Sequence, residues 1–234
     1  MNNGKHWFQS LTFAWRGTAA FALIALQVSM SIPSNAADLS TAEIAKRHTS
    51  SVMLVNCEGS QGTGFVLSAN GIIVTNFHVI EGGKKILVKS HTGGIHEVHK
   101  ILALDKDRDI ALLQADAKNL QSLELADPST VVAGSKIVVI GNPVGLESTV
   151  SEGIVSAKRS LAGYGEVLQI TAPISPGSSG SPVFNEDGKV VGIATFKRIG
   201  GESLNFAIPS NHIASMLTSA KDGAATIAVG DYYR

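Results

Sequence analysis

From Val52 onward, short apolar runs alternate with polar stretches that carry Gly, Asn or Asp, and helical periodicity is scarce. Apolar runs of this length, bounded by turn residues, read as strands. One set covers residues 52–56, 64–68, 72–76, 85–89, 95–104 and 110–114, with turns such as Ala69-Asn70-Gly71 and Glu81-Gly82-Gly83 between them. A second set covers 136–140, 149–158, 167–171, 181–184, 190–196 and 204–208, and Asn185-Glu186-Asp187-Gly188 marks a hairpin turn. Asp127-Pro128-Ser129 breaks the pattern and separates the two sets. About six strands in each half predict an all-β chain of two six-stranded antiparallel barrels, because closure removes exposed strand edges. Helices are predicted only at the ends. Ser40-Thr41-Ala42-Glu43 has the form of a capping box opening a short helix to about His48. Ser210 can cap a last helix, with Ile213, Met216 and Leu217 as its apolar stripe.

The first segment has another character. Lys5 and Arg16 precede an apolar run from Thr18 to Met30, followed by Pro33 and Ser34-Asn35-Ala36-Ala37. A basic region, a short apolar region and a small-residue cleavage zone make up a secretory signal peptide, here residues 1–37, cut after Ala36 or Ala37. The run falls short of the roughly 20 residues that span a bilayer. The long lead before it leaves an uncleaved anchor as the other reading. The remaining organisation follows as a first barrel at 38–128, a second barrel with the final helix at 129–220, and a short tail at 221–234.

Composition narrows the function. Hydrophobic residues make up 44% and charged residues 16%, enough for a large core. The formal net charge is zero, which gives no general pull toward nucleic acid or an anionic membrane. Cys57 is the single cysteine, so no intramolecular disulfide can form, and its place just beyond an apolar run suits a packed thiol better than a reactive one. His91, His96 and His99 invite a metal reading, but in a strand His96 and His99 point to opposite faces. No metal or organic cofactor is expected.

Three stretches carry chemistry. Pro176-Gly177-Ser178-Ser179-Gly180-Ser181-Pro182 surrounds Ser179 with small residues, so the backbone can turn tightly and aim the N–H groups of Gly177 and Ser179 at one point. A plain flexible loop has the same composition. Val74-Thr75-Asn76-Phe77-His78-Val79 ends an apolar strand in a histidine, suited to a barrel rim or to a structural role. Arg108-Asp109 abuts the run from Ile110. Asp105 and Asp107 lie in the same stretch, but only Asp109 touches the buried run and can be screened from water. The order His78, Asp109, Ser179 is that of the chymotrypsin-type triad and differs from subtilisin and the α/β-hydrolases. It puts the first two residues in the first barrel and the serine in the second.

Over nearly all of residues 40–215 the sequence resembles the trypsin-like protease domain of the HtrA/Deg family. The matching stretches run in the family's order. They are Gly62-Thr63-Gly64-Phe65-Val66, Thr75 to Val79, Asp109-Ile110-Ala111-Leu112-Leu113, Ile140-Gly141-Asn142-Pro143-Val144-Gly145, Thr149 to Ser156, Pro176 to Pro182, and Phe206-Ala207-Ile208-Pro209-Ser210. The resemblance implies a chymotrypsin-type fold and a secreted serine endopeptidase, with His78 as general base, Asp109 as its orienting acid and Ser179 as nucleophile. It places the oxyanion hole at Gly177, Ser178 and Ser179, and lines the primary pocket with Ile174, Thr195, Phe196, Lys197 and Asn205. Where trypsin has its pocket-floor carboxylate, six positions before the nucleophile, this chain has Pro173, so a small or medium apolar residue is expected before the cut. Glu202 could still reach inward. Ser178 and Ser181 stand where the family usually has Asn and Gly. The residues after the final helix are too few for the PDZ domain that usually follows in this family. Polypeptide substrates, unfolded ones above all, a periplasmic or extracellular location and a trimer are further implications of the resemblance, and no stable membrane insertion is expected after signal cleavage. Two other readings stay open: a catalytically silent binding or chaperone protein on the same fold, and a hydrolase of esters or small peptides.

Overall fold

Strand β1 (Val52–Cys57) pairs with β2 (Ser60–Ser68), which pairs with β3 (Ile72–Thr75). After the one-turn helix α2 (Phe77–Ile80), β4 (Ile86–Lys89) lies on the other edge of β1 and leads into β5 (Ile95–Asp105). Strand β6 (Ile110–Ala115) pairs with both β3 and β5, which closes a first six-stranded barrel. The second barrel closes in the order β10 (Pro182–Phe184), β11 (Val190–Ile199), β12 (Glu202–Pro209), β9 (Gly165–Ile170), β8 (Thr149–Leu161), β7 (Lys136–Gly141). This computed structural model describes residues 38–142, 148–199, 202–223 and 225–232. The predicted signal peptide at 1–37 lies outside the described residues, as do the side chains of Phe196, Lys197 and Glu202. No helix among the described residues is long and apolar enough to cross a membrane.

Many of these strands are apolar on consecutive positions, and the packing explains it. In β1, β2, β3 and β6 one face fills the first barrel and the opposite face meets the second. Met53, Val66, Ile73 and Leu113 point into the barrel, while their neighbours Val52, Phe65, Val74 and Leu112 join Val138, Ile140, Phe184, Ile193 and Ile208 in a core between the barrels. The second barrel does the same with Ile137 and Val139 inside and Val138 and Ile140 at the seam. A strand buried on both faces loses its period-two alternation. Strands β5 and β8 are exposed along much of their length and keep polar residues.

Helix α1 (Thr41–His48) begins with the predicted capping box. Glu43 N–H donates to Ser40 Oγ, and Ser40 N–H donates to the Glu43 carboxylate at 2.9 Å. The helix after the second barrel, α3 (Ser210–Lys221), differs from expectation in its cap: Pro209 takes that position. The Ser210 hydroxyl donates instead to the Ala126 carbonyl at 2.7 Å, tying the helix start to the segment that links the barrels. Ile213 is fully buried in the inter-barrel core, with Met216 and Leu217 packed on its edge. The tail is ordered by the first barrel: β13 (Ile227–Ala228) pairs with Lys100 and Ile101 of β5, and α4 (Val229–Tyr232) brings Tyr232 edge-on to Phe77.

Candidate active site

His78 does not end a strand, as its sequence context suggests, but stands in α2, one turn past the end of β3. Asn76, fully buried, holds the start of that turn by donating its side-chain amide to the Asp109 carbonyl at 2.8 Å, and Phe77 N–H donates to the same oxygen at 3.2 Å. Of the three acids in the 105–109 stretch, Asp109 is the one placed against His78. Its Oδ1 accepts the His78 backbone N–H at 2.8 Å and its Oδ2 accepts from His78 Nδ1 at 2.7 Å. A carboxylate can only accept, so Nδ1 carries the proton and Nε2 is the basic nitrogen of the neutral ring. The acid's side chain is 7% exposed and the imidazole 43%, so the ring has a sheltered inner edge and an open outer one.

Asp109 has φ +59°, a left-handed conformation that Asp tolerates better than most residues. The turn before it is closed by Asp105, whose carboxylate accepts both the backbone N–H of Arg108 at 2.8 Å and its guanidinium at 2.9 Å. Asp107 is exposed. The second barrel adds one more donor: the Thr195 hydroxyl reaches Asp109 Oδ2 at 3.2 Å. Thr195 is 3% exposed, so its side chain supports the acid instead of lining a pocket.

The Ser179 loop is best read by following its backbone hydrogen bonds. Gly177 C=O accepts from the Thr63 hydroxyl at 2.7 Å, Ser178 C=O from Ser181 N–H at 3.1 Å, and Ser179 C=O from Thr63 N–H at 2.8 Å. Ser178 N–H donates to Ser175 C=O at 2.9 Å and Gly180 N–H to Ala194 C=O at 2.9 Å. Among the described residues this leaves the N–H groups of Gly177 and Ser179 without an acceptor. Ser178 therefore cannot serve as an oxyanion donor through its backbone, contrary to the sequence expectation, because its N–H is already committed. Gly177 and Gly180 adopt φ +91° and +90°. At Gly180 a Cβ would stand 1.9 Å from the Thr63 carbonyl oxygen, so the loop can dock only with hydrogen there.

This docking sets Ser179 beside the histidine helix. The space next to Gly62 is shared by Val79, the residue after His78, and by the Ser179 carbonyl; a Cβ on Gly62 would lie 2.6 Å from the first and 3.0 Å from the second. Ser179 Oγ and His78 Nε2 make no hydrogen bond among the described residues. Thr63 contributes to this docking although the sequence singles it out only through its two flanking glycines, Gly62 and Gly64.

Of the expected pocket residues, Ile174 is 9% exposed and packs in the second barrel's core. Asn205 donates to Ala172 C=O at 2.9 Å and Ser151 to Pro173 C=O at 3.0 Å, which fixes the strand leading to the Ser179 loop. Phe196 and Lys197 are placed by backbone pairing with Asn205 and Leu204. Cys57 is buried, donates weakly to Ile80 C=O at 3.4 Å, and its thiol is pushed up from the usual value by burial.

The chain matches the family model for the trypsin-like peptidase domain over residues 62–193. It is 37% identical to a putative serine protease, HhoB, of Synechocystis over 159 residues, 65% of this chain and 38% of that protein. It is 42% identical to a probable periplasmic serine endoprotease, DegP-like, of Halomonas elongata over 156 residues, 64% and 33% of the two chains. Among solved structures it resembles the HtrA-type protease AlgW with a tripeptide, with TM-score 0.71, 30% identity and coverage of 77% of this chain and 63% of that one. It also resembles the serine endoprotease from Yersinia pestis, with TM-score 0.70, 30% identity and coverage of 79% and 67%. The chain spans about a third of the length of the curated relatives it matches. A family model that covers more than half of the chain, together with relatives of the same kind in sequence and in fold, places it: the chain belongs to the trypsin-like peptidase family, with its relatives among the HtrA/DegP serine proteases.

Proposed function

We propose that this chain is a serine endopeptidase in which His78, Asp109 and Ser179 form the catalytic triad. One observation carries the reading: among the described residues the N–H groups of the serine loop left without an acceptor are those of Gly177 and Ser179, in a loop whose Ser179 carbonyl shares the space beside Gly62 with Val79, the residue after the acid-held His78. In this mechanism Nε2 of His78 takes the Ser179 proton as Oγ attacks a peptide carbonyl. The oxyanion that develops is received by the N–H groups of Gly177 and Ser179, each worth about 3 kcal/mol of barrier in comparable sites. Asp109 stabilises the imidazolium, which then gives its proton to the leaving amine. Water, deprotonated by the same nitrogen, hydrolyses the acyl-enzyme on Ser179.

The substrates proposed are unfolded or damaged polypeptides, met after export to a periplasm. The support is the signal-like pattern of residues 1–37 and the naming of relatives as periplasmic endoproteases. Pro173, where a pocket-floor acid would stand in trypsin, supports cleavage after small or medium apolar residues. The deciding experiment is labelling with a fluorophosphonate, followed by mass spectrometry of the labelled peptide. Label on Ser179 in the wild type and none in Ser179→Ala is expected. A soluble, folded wild type that neither labels nor cleaves an unfolded protein would overturn the assignment, and a digest cut only after Lys or Arg would overturn the specificity.

A further inference from the structure

Thr63 in β2 is fully buried between Gly62 and Gly64, and it makes four hydrogen bonds that converge on the serine loop and its surroundings. Its backbone N–H donates to Ser179 C=O at 2.8 Å, and its backbone C=O accepts the Thr75 hydroxyl at 2.7 Å. Those bonds need no particular side chain. The hydroxyl makes two more: it accepts Asn142 N–H at 2.9 Å and donates to Gly177 C=O at 2.7 Å. The Asn142 donor occupies one lone pair of Oγ1, so the hydroxyl proton is directed at Gly177.

That carbonyl belongs to the peptide plane between Gly177 and Ser178, whose N–H end is held by Ser175 C=O. A peptide unit is rigid, so binding both ends fixes its orientation. Gly177 has no side chain and stands at φ +91°, which leaves the plane's own hydrogen bonds to hold its rotation. The two free N–H groups lie on the planes immediately before and after this one. Their relative direction, and so the point at which they converge, depends on it.

We propose that the Thr63 hydroxyl is the positioning residue of the oxyanion hole: it locks the 177–178 peptide so that the N–H groups of Gly177 and Ser179 meet at one point. This rests on the reading of Ser179 as nucleophile and goes beyond it. Thr63 touches no substrate atom. Its removal should therefore weaken binding of the tetrahedral state and leave ground-state binding alone.

The test compares the wild-type chain with Thr63→Val, which keeps the shape and removes the hydroxyl, Thr63→Ala, which cannot overpack, and Thr63→Ser, which restores the hydroxyl. Each is assayed for kcat and KM on a peptide substrate and for affinity to a peptide boronate, which forms a tetrahedral adduct. Val and Ala substitutions are expected to lower kcat about 10- to 100-fold and to weaken the boronate by a similar factor, with KM within about threefold. The Ser substitution should stay within about threefold of wild type in all three. A structural role alone would not move boronate affinity in step with kcat. Unchanged kcat in Thr63→Val, a loss confined to KM, or no rescue by Ser would overturn the proposal. So would failure of both hydroxyl-less variants to fold, which would assign the hydroxyl to holding the domain together. Fluorophosphonate labelling of the wild type separates the two readings: an unlabelled, inactive wild type removes both, whereas an active one matched by Thr63→Val removes this one alone.

Discussion

Replacing Asp109 by Asn keeps the size and shape of the side chain, so its effect can be worked out bond by bond. The carboxylate accepts three times: at Oδ1 from the His78 backbone N–H, 2.8 Å, and at Oδ2 from His78 Nδ1, 2.7 Å, and the Thr195 hydroxyl, 3.2 Å. An amide has one accepting end and one donating end. With its NH2 at the Oδ1 position it would face the backbone N–H of His78, donor against donor. That N–H cannot turn away, and an unmade buried bond of this kind costs about 1–3 kcal/mol. With its NH2 at the Oδ2 position the conflict dissolves: the Thr195 hydroxyl rotates to accept, and the imidazole gives up its Nδ1 proton and accepts too. The second arrangement wins. It leaves the ring's proton on Nε2, where the ring can no longer take one from Ser179. The expected loss is about 10⁴-fold in kcat, about 5 kcal/mol of barrier, with folding intact. Steady-state kinetics on a peptide substrate, with circular dichroism as the check on folding, measure it. A folded Asp109→Asn variant within about tenfold of wild type would refute the tautomer argument and the role given to Asp109.

Three other outcomes follow from the same geometry. Thr195→Val removes the longest of the three bonds to Asp109, so it should lower stability by about 1.5 kcal/mol in urea unfolding and kcat by less than about tenfold, because His78 still holds the carboxylate through both oxygens. Ser181 is fully buried and its hydroxyl has no hydrogen-bond partner among the described residues, so Ser181→Ala should raise the unfolding midpoint by about 2–4 °C, and a fall would refute the orphan assignment. His48, stacked on Phe184 with ring centroids 5.0 Å apart, and His212 are both held below their usual 6.5, chiefly by burial and then by Arg47 and Arg108 respectively. The unfolded chain then binds more protons than the folded one just under that value, so stability is full above about pH 6.5 and falls as the pH drops through the folded-state values. Denaturant midpoints measured from about pH 7.5 to about pH 5 should show this, and His48→Phe, which keeps the stack, should flatten the curve.

The fold was legible because its strands carry their burial in their composition. Ile110-Ala111-Leu112-Leu113 and Ile137-Val138-Val139-Ile140 are apolar at every position, which a one-faced strand would not be, and both faces are in fact covered. Errors fell where apolar residues change geometry without changing character. Phe77, Val79 and Ile80 look like the continuation of β3, yet they form α2, because Asn76 and Phe77 are drawn onto the Asp109 carbonyl and turn the chain. Ser210 has the right chemistry for a cap but finds the Ala126 carbonyl, a partner more than eighty residues away in the chain. No local pattern encodes that.

The candidate site was legible in the groups proposed to react and hidden in the groups that support them, for a physical reason. A nucleophile, a base and an acid must be particular residue types, so Ser179, His78 and Asp109 stand out. The groups that aim them work largely through backbone atoms and small hydroxyls, which any sequence has in abundance. Thr195 reads as pocket lining and Thr63 as part of a strand, yet each carries a hydroxyl to the neighbouring barrel, one to Asp109 and the other to Gly177. What the sequence does show of them is their absence of bulk: Gly62 and Gly180 lie where a single added methyl would meet Val79 or the Thr63 carbonyl. Those glycines are the imprint of two barrels pressed close enough to share hydrogen bonds. At this seam a glycine therefore signals a neighbour as surely as a charged residue does elsewhere, and Gly180→Ala, forced to a 1.9 Å contact at φ +90°, should separate the Ser179 loop from Thr63 and abolish turnover while Ser179 itself remains in place in the sequence. A Gly180→Ala enzyme with wild-type kcat would mean that the loop has another way to seat itself, and that the docking contact does not set the site.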